Sequence, residues 1–448
     1  MLNGLKTRFT KPEVPAAQVL LFSGLALILA TAFSSYTGLN QRFFLGGFLL
    51  FLTGSGWLIF KRFRKTDPAN LQHFNWFRSL SARGVSAWLL GFFLTGFYVV
   101  LYWFPASLNF LIKPLDPFSF WLRNRPADNW FLYGALYSLA ILIMGLRALL
   151  KYRHSRYHVF RTLTNIFVQL VLAFELPGLL LLLNQPEFYF SYFWPLKYDY
   201  LFPDTLATLW NQPGNFTMFL VFWTVLGSFL LTPVLTYFYG KRWYCSWVCG
   251  CGALAETAGD PFRHLSDKSR RAWQLEVAMV YPILGFVLIT TLLLWLNSYW
   301  QGGLLGSFSG GFASTYGFFI GLIFSGVIGV GFYPIFGSRV WCRFGCPMAA
   351  YLGLLQKYFS RFRITTNGGQ CISCGNCSAY CEMGIDVKWY AQQGKPIIRA
   401  ACVGCGMCAT VCPRGVLKLE NKASENRYDP TPFFHAENLR ILTDEDNK

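Results

Sequence analysis

Eight cysteines near the C-terminus are spaced for one kind of chemistry. They read Cys371-x2-Cys374-x2-Cys377-x3-Cys381 and Cys402-x2-Cys405-x2-Cys408-x3-Cys412-Pro413. A C-x2-C-x2-C-x3-C run lets three successive thiolates converge on one cubane [4Fe–4S] cluster. Gly375, Gly404 and Gly406 suit the tight backbone that this requires. Structural zinc does not need a doubled run of four, and a reducing cytoplasm disfavours disulfides. One position departs from the pattern: Glu382 stands where proline usually follows the fourth cysteine.

In ferredoxins with two such runs, the fourth cysteine of each ligates the other cluster. The expected sets are therefore Cys371, Cys374, Cys377 and Cys412 around one cluster, and Cys402, Cys405, Cys408 and Cys381 around the other. Five of the 13 cysteines remain, and four belong to a repeat at an offset of 97 residues. Gly240-Lys-Arg-Trp-Tyr-Cys245-Ser-Trp-Val-Cys249-Gly matches Gly337-Ser-Arg-Val-Trp-Cys342-Arg-Phe-Gly-Cys346-Pro. Two C-x3-C pairs on one side of a membrane supply the four thiolates of a third iron–sulfur centre, with Cys245, Cys249, Cys342 and Cys346 as ligands. The alternative is a dithiol relay, or small buried residues, since free cysteine packs like a small hydrophobe. Cys251 is left over, either replacing Cys249 or simply packing.

The elements that must carry these cysteines are membrane helices. Hydrophobic residues make up 54% of the 448 and charged residues only 13%, against roughly 25–35% charge on a soluble surface. An aromatic content of 19% excludes disorder. Eight apolar runs reach the ~20 residues that a spanning helix needs. They lie at about 17–37, 43–60, 84–104, 130–149, 163–184, 216–239, 276–297 and 315–336. The first is too long for a signal peptide and has no small-residue cleavage site after it.

The net charge of +18 could suggest nucleic acid. Its distribution says otherwise. Segments 1–16, 61–83, 147–162 and 240–275 hold 20 Lys and Arg, while 38–42, 105–129, 185–215 and 298–314 hold 5. The positive-inside rule puts the first group, and everything after about 337, in the cytoplasm. Both termini are then cytoplasmic, no nucleic-acid partner is expected, and all three centres sit at the cytoplasmic edge. About 30 Å of hydrocarbon would separate them from the other face.

The expected fold is a multi-span α-helical membrane protein of about eight transmembrane helices with a small C-terminal α+β ferredoxin-like module. Its parts are an N-terminal bundle over 1–184, a transmembrane iron–sulfur region over 216–360, the two-cluster module over 365–420 and a polar tail over 421–448.

Other residues carry weaker signals. Glu175 lies inside the fifth run, where an ionisable group marks a proton path by default; it either relays a quinol proton or, protonated, satisfies backbone groups freed by Pro177. His154 and His158 share a helical face in a basic juxtamembrane stretch that suits lipid headgroups better than haem. Arg242, Arg339 and Arg343 either offset a negative cluster or follow the charge bias. Stretch 185–215, rich in aromatics and proline, reads as an interfacial belt or a docking surface for an extracytoplasmic partner.

Paired membrane C-x3-C(-P) motifs followed by a two-cluster module resemble the NosR/NapH/CcoG group of membrane polyferredoxins, over about 216–420. The first copy departs from that group, with Gly250 in place of the proline kept as Pro347. No counterpart is expected for the extracytoplasmic flavin domain of the NosR-like members or the terminal β-sandwich of the CcoG-like members. The resemblance implies electron transfer in the bacterial inner (cytoplasmic) membrane between a quinone or cytosolic donor and other membrane redox subunits or an extracytoplasmic reductase. A cofactor-maturation or metal-reducing factor, and a membrane redox sensor, are the competing expectations.

Overall fold

The computed structural model describes residues 13–33, 38–63, 83–211, 214–300 and 317–421, with Gly306, Gly310, Gly311, Ser314 and Thr315. The tail beyond Asn421 and most of segments 61–83 and 298–314 lie outside the described residues.

Six helices among the described residues are long and apolar enough to cross a membrane. They contain Arg42–Lys61, Val85–Trp103 (α3), Asn129–Lys151 (α4), Arg156–Leu182 (α5), Asn215–Tyr239 (α6) and Arg270–Tyr299 (α8). They coincide with the second to seventh apolar runs. The first run appears as helix α1, Glu13–Phe33, whose apolar part Ala16–Thr31 is shorter. The eighth appears as a π-helical stretch, Gly317–Ile328, and a short helix, Tyr333–Phe336.

The chain forms two compact units. The first comprises 1–76, 89–191 and 248–260. Within it, α1 packs on α2 (Gly38–Phe63) through glycines: a Cβ at Gly24 would meet Phe51 N at 2.5 Å, and one at Gly54 would meet Leu21 N at 2.5 Å. Small residues at such contacts let backbones approach where lipid supplies no hydrophobic drive. Asp128 caps α4, its carboxylate accepting from Phe131 N at 2.8 Å. The same unit holds a short helix, α7, at Gly250–Glu256.

Prolines shape the spans in both units. Proline lacks an N–H and its ring pushes away the carbonyl one turn back. In the first unit α5 therefore widens to a π-helix over Val168–Glu175, just before Pro177, with Leu176 N–H bonded to Val171 O. In the second unit (77–88, 192–247 and 261–448) α6 does the same over Gly227–Leu231 ahead of Pro233. There the Thr232 hydroxyl also donates to Gly227 O at 2.7 Å.

After α8 the second unit continues through α9, Pro347–Tyr358, into the cysteine-rich module. Strand β1 (Arg363–Thr366) pairs antiparallel with β2 (Leu417–Glu420), in register from Arg363↔Glu420 to Thr366↔Leu417. The two strands bracket both cysteine runs. Ile364, Ile385, Val387, Ile397, Val403 and Met407 form the module's buried interior.

Candidate iron–sulfur sites

Each cysteine run turns through a left-handed glycine into a one-turn helix. Gly375 (φ 79°) precedes Asn376–Ala379, and Gly406 (φ 81°) precedes Met407–Thr410. Glycine adopts this backbone without a Cβ penalty. One cavity is lined by Cys371, Cys374, Cys377 and Cys412. A second is lined by Cys381, Cys402, Cys405 and Cys408. The last cysteine of each run thus lies with the first three of the other.

The electrostatics of these sulfurs fit a metal cluster. Burial, with the neighbouring Cys412, Cys371 and Cys374 adding to it, pushes the Cys377 thiol up to about 11. Burial likewise raises Cys381 to about 11 and lifts Cys408 well above the usual thiol range. Crowded buried thiols resist ionising unless positive charge is supplied among them. Iron supplies such charge, and a coordinating thiol is deprotonated outright.

Of the membrane pairs, Cys245, Cys342 and Cys346 lie in the second unit, and all three are buried. The glycine shared by the repeat has a physical reason in both copies. Gly240 (φ 68°) and Gly337 (φ 94°) adopt positive φ, and a Cβ there would strike Phe362 and Ser266 respectively. Arg339, 1% exposed, donates through Nη1 to Cys245 O at 3.0 Å and reaches Cys342 Sγ at 3.7 Å. Arg343 pairs with Glu276 at 2.7 Å, and Arg242 donates to Asn421 Oδ1 at 2.7 Å. All three arginines are buried, so they do not line a headgroup surface.

The module is clamped from below by α9. Gln356 donates to Arg399 O at 2.9 Å and Cys402 O at 2.8 Å, while its own carbonyl accepts from Lys241 N at 2.7 Å. A Cβ at Gly384 (φ 66°) would collide with the Arg343 guanidinium. Only glycine permits that approach.

Cys249 and Cys251 open the stretch 248–260 of the first unit, where depth differs from expectation. Val248 O accepts from Gln169 Nε2 at 2.6 Å, and Gly250 O accepts from the Tyr137 hydroxyl at 2.7 Å. Gln169 is midway along α5 and Tyr137 is well inside α4. The stretch therefore starts level with the middle of these helices rather than at their basic ends. Side chains of the bundle satisfy its carbonyls, which is what makes irregular backbone tolerable at that depth. From there α7 leads to Glu256, paired with Arg161 at 2.9 Å, and on to Asp260. Asp260 receives Arg147 at 2.9 Å, Lys151 at 2.8 Å and the Tyr152 hydroxyl at 2.5 Å.

The remaining candidates are brought to none of the cysteines. Glu175 is exposed at the end of the π-helical stretch. His154 is exposed, but His158 is 1% exposed, its ring 5.1 Å from that of Tyr152 and its Nδ1 2.9 Å from Ser155 Oγ. His158 is thus a core residue, and the headgroup reading fails for it. Sequence reasoning missed Glu256, Asp260 and Glu276, and met Glu382 only as a departure from the cysteine pattern, without its ion pairs. Their signal was rarity: the chain has only 21 acidic residues.

Two family profiles match the chain, each described as a 4Fe-4S binding domain. One matches twice, over 221–271 and 316–366, and takes in both C-x3-C pairs. The other matches 395–418 and takes in the second cysteine run. The chain is 27% identical over 167 residues to the "Methylamine utilization ferredoxin-type protein MauN" of Methylobacillus flagellatus, covering 35% of this chain and 54% of that protein. It is 29% identical over 156 residues to the "Putative electron transport protein YccM" of Escherichia coli K12, covering 33% and 43%. The chain spans about half the length of the curated relatives it matches. No solved structure matches it. The chain is thus a mostly helical protein with six helices among its described residues fit to cross a membrane and with 4Fe-4S binding domains in its second half.

Proposed function

We propose that this protein is a multi-pass electron-transfer subunit of the bacterial cytoplasmic membrane. It passes single electrons between its cytosolic side and a quinone or a partner respiratory complex. The carrying observation is the crosswise gathering of eight cysteines around two cavities. A [4Fe–4S] cluster held in each supplies one-electron exchange without an obligatory proton. The two matches over the C-x3-C pairs support a third centre on Cys245, Cys249, Cys342 and Cys346. Cys374 is exposed and Ile372 beside it is 54% exposed, a small apolar lip on which a soluble or peripheral redox partner can dock.

Iron and acid-labile sulfide counting tests this. Purified protein should hold about twelve irons per chain, at about four per cluster. Replacing Cys245 and Cys342 together with alanine should remove about four. A count near eight that ignores the double replacement would eliminate the membrane centre.

A quinol surrenders protons with its electrons, and Glu175 is the exposed carboxyl within a span that can accept one. Glu175→Gln is expected to slow quinol-driven cluster reduction in proteoliposomes severalfold while leaving iron content unchanged. Unaltered rates across pH would end its role.

A further inference from the structure

Glu382, the residue that breaks the cysteine-run pattern, has a buried task. Its carboxylate lies between two arginines, with Arg263 Nη1 at 2.6 Å and Arg339 Nη2 at 2.9 Å, and its side chain is 0% exposed. The Ser266 hydroxyl donates to its carbonyl at 2.6 Å. An unpaired carboxylate in such a place would be strongly disfavoured. Here two permanent cations face it, leaving the triad with one positive charge in excess.

Arg339 also reaches the other way, to Cys245 O and to Cys342 Sγ. One guanidinium thus touches the neighbour of Cys381 and two cysteines of the membrane pairs. A parallel bridge joins the same regions: Ser246, next to Cys245, donates through Oγ to the carbonyl of Val403, next to Cys402, at 2.8 Å. Both bridges lead to the cavity lined by Cys381 and Cys402, and Glu382 and Val403 are themselves part of its wall. Neither residue lines the cavity of Cys371 and Cys412.

We propose that Arg339 and Glu382 wire the Cys402 set to the membrane cysteines, and that Arg339 is a positioning residue holding a fixed positive charge against the Cys342 sulfur. The inference rests on the reading that both cysteine sets bind iron–sulfur clusters. One such connection runs Cys381–Glu382···Arg339···Cys342. The Cys402 set and the membrane set would hold clusters able to exchange one electron, one oxidised as the other is reduced. No bond breaks and no proton moves. The order of centres follows: the Cys371 set, with its exposed Cys374, meets outside partners; the Cys402 set relays; the membrane set receives.

A purely mechanical clamp and a positive charge held against the Cys342 sulfur differ in how the potential responds when that charge is removed. In iron-replete, detergent-solubilised protein, potentiometric EPR is expected to place the membrane-set signal higher in Glu382→Gln, which removes a negative charge. Arg339→Gln should move it lower. Arg339→Lys should stay near the wild type, and the Cys371-set signal should hold still in all three. Shifts of the same sign in the two glutamine variants, or none with iron intact, would overturn the wiring. Should the glutamine variants lose iron, Arg339→Lys carries the test: a wild-type potential supports the proposal, and iron loss there too reduces Arg339 to a folding role and overturns it. Failure of the underlying reading looks different, because wild-type protein would then lack the membrane-set signal altogether.

Discussion

Cys412→Ala should extinguish the EPR signal that depends on Cys371, Cys374 and Cys377, while the signal of its own run survives. Cys381→Ala should do the converse, removing the signal that depends on Cys402, Cys405 and Cys408. The expectation follows from the two cavities, each lined by three cysteines of one run and the last of the other. The sulfurs also feel one another in this pairing: Cys412 is among the groups that raise Cys377, and Cys381 among those that raise Cys408. Each single replacement should lower iron by about four per chain. Pairing each variant with Cys374→Ala or Cys405→Ala identifies which signal is gone. If Cys412→Ala and Cys405→Ala extinguish the same signal, each run closes on its own cluster and the crosswise sets fall.

The grouping of the eight cysteines around two cavities was legible in the sequence, because consecutive-thiolate spacing is a local property that few other chemistries need. The C-x3-C repeat was legible for the same reason, down to Gly240 and Gly337, whose positive φ explains why the residue recurs. The helices were legible from hydropathy wherever an apolar run is unbroken. They blurred at the eighth run, where Gly317–Ile328 is wound as a π-helix rather than an α-helix.

Depth and pairing were not legible. Cys249 follows a basic cluster, which by charge bias alone belongs at the cytoplasmic edge. Nothing local reveals that Gln169 and Tyr137 hold the adjoining carbonyls near the middle of α5 and α4. The acids posed the same difficulty. Arg147 and Asp260 are separated by 113 residues, and Arg263 and Glu382 by 119. A positive-inside count registers Arg147, Lys151 and Arg161 as three surface charges. In the fold they are buried partners of two carboxylates.

Asp260→Ala is accordingly expected to cause the greatest loss of stability among the single substitutions considered. The carboxylate has no exposed side-chain surface, and its two cationic partners are 0% and 5% exposed. Removing it leaves both cations, and the Tyr152 hydroxyl, facing a cavity in place of an acceptor. Breaking a buried pair from one side costs on the order of 3–5 kcal/mol, because the remaining charge is desolvated without compensation. Here two charges are stranded by one deletion. Asp260→Asn keeps an acceptor oxygen but not the charge, so its loss should be intermediate. Thermal unfolding in detergent, read as Tm, is expected to rank wild type above Asp260→Asn and that above Asp260→Ala. Lys151→Met supplies the contrast, since Arg147 still satisfies the carboxylate and no cation is orphaned. It should unfold closer to wild type than Asp260→Ala does. An alanine variant as stable as the wild type would mean that water reaches Arg147 and Lys151, and that the three-fold convergence on Asp260 does not hold the segment after α7 against α4.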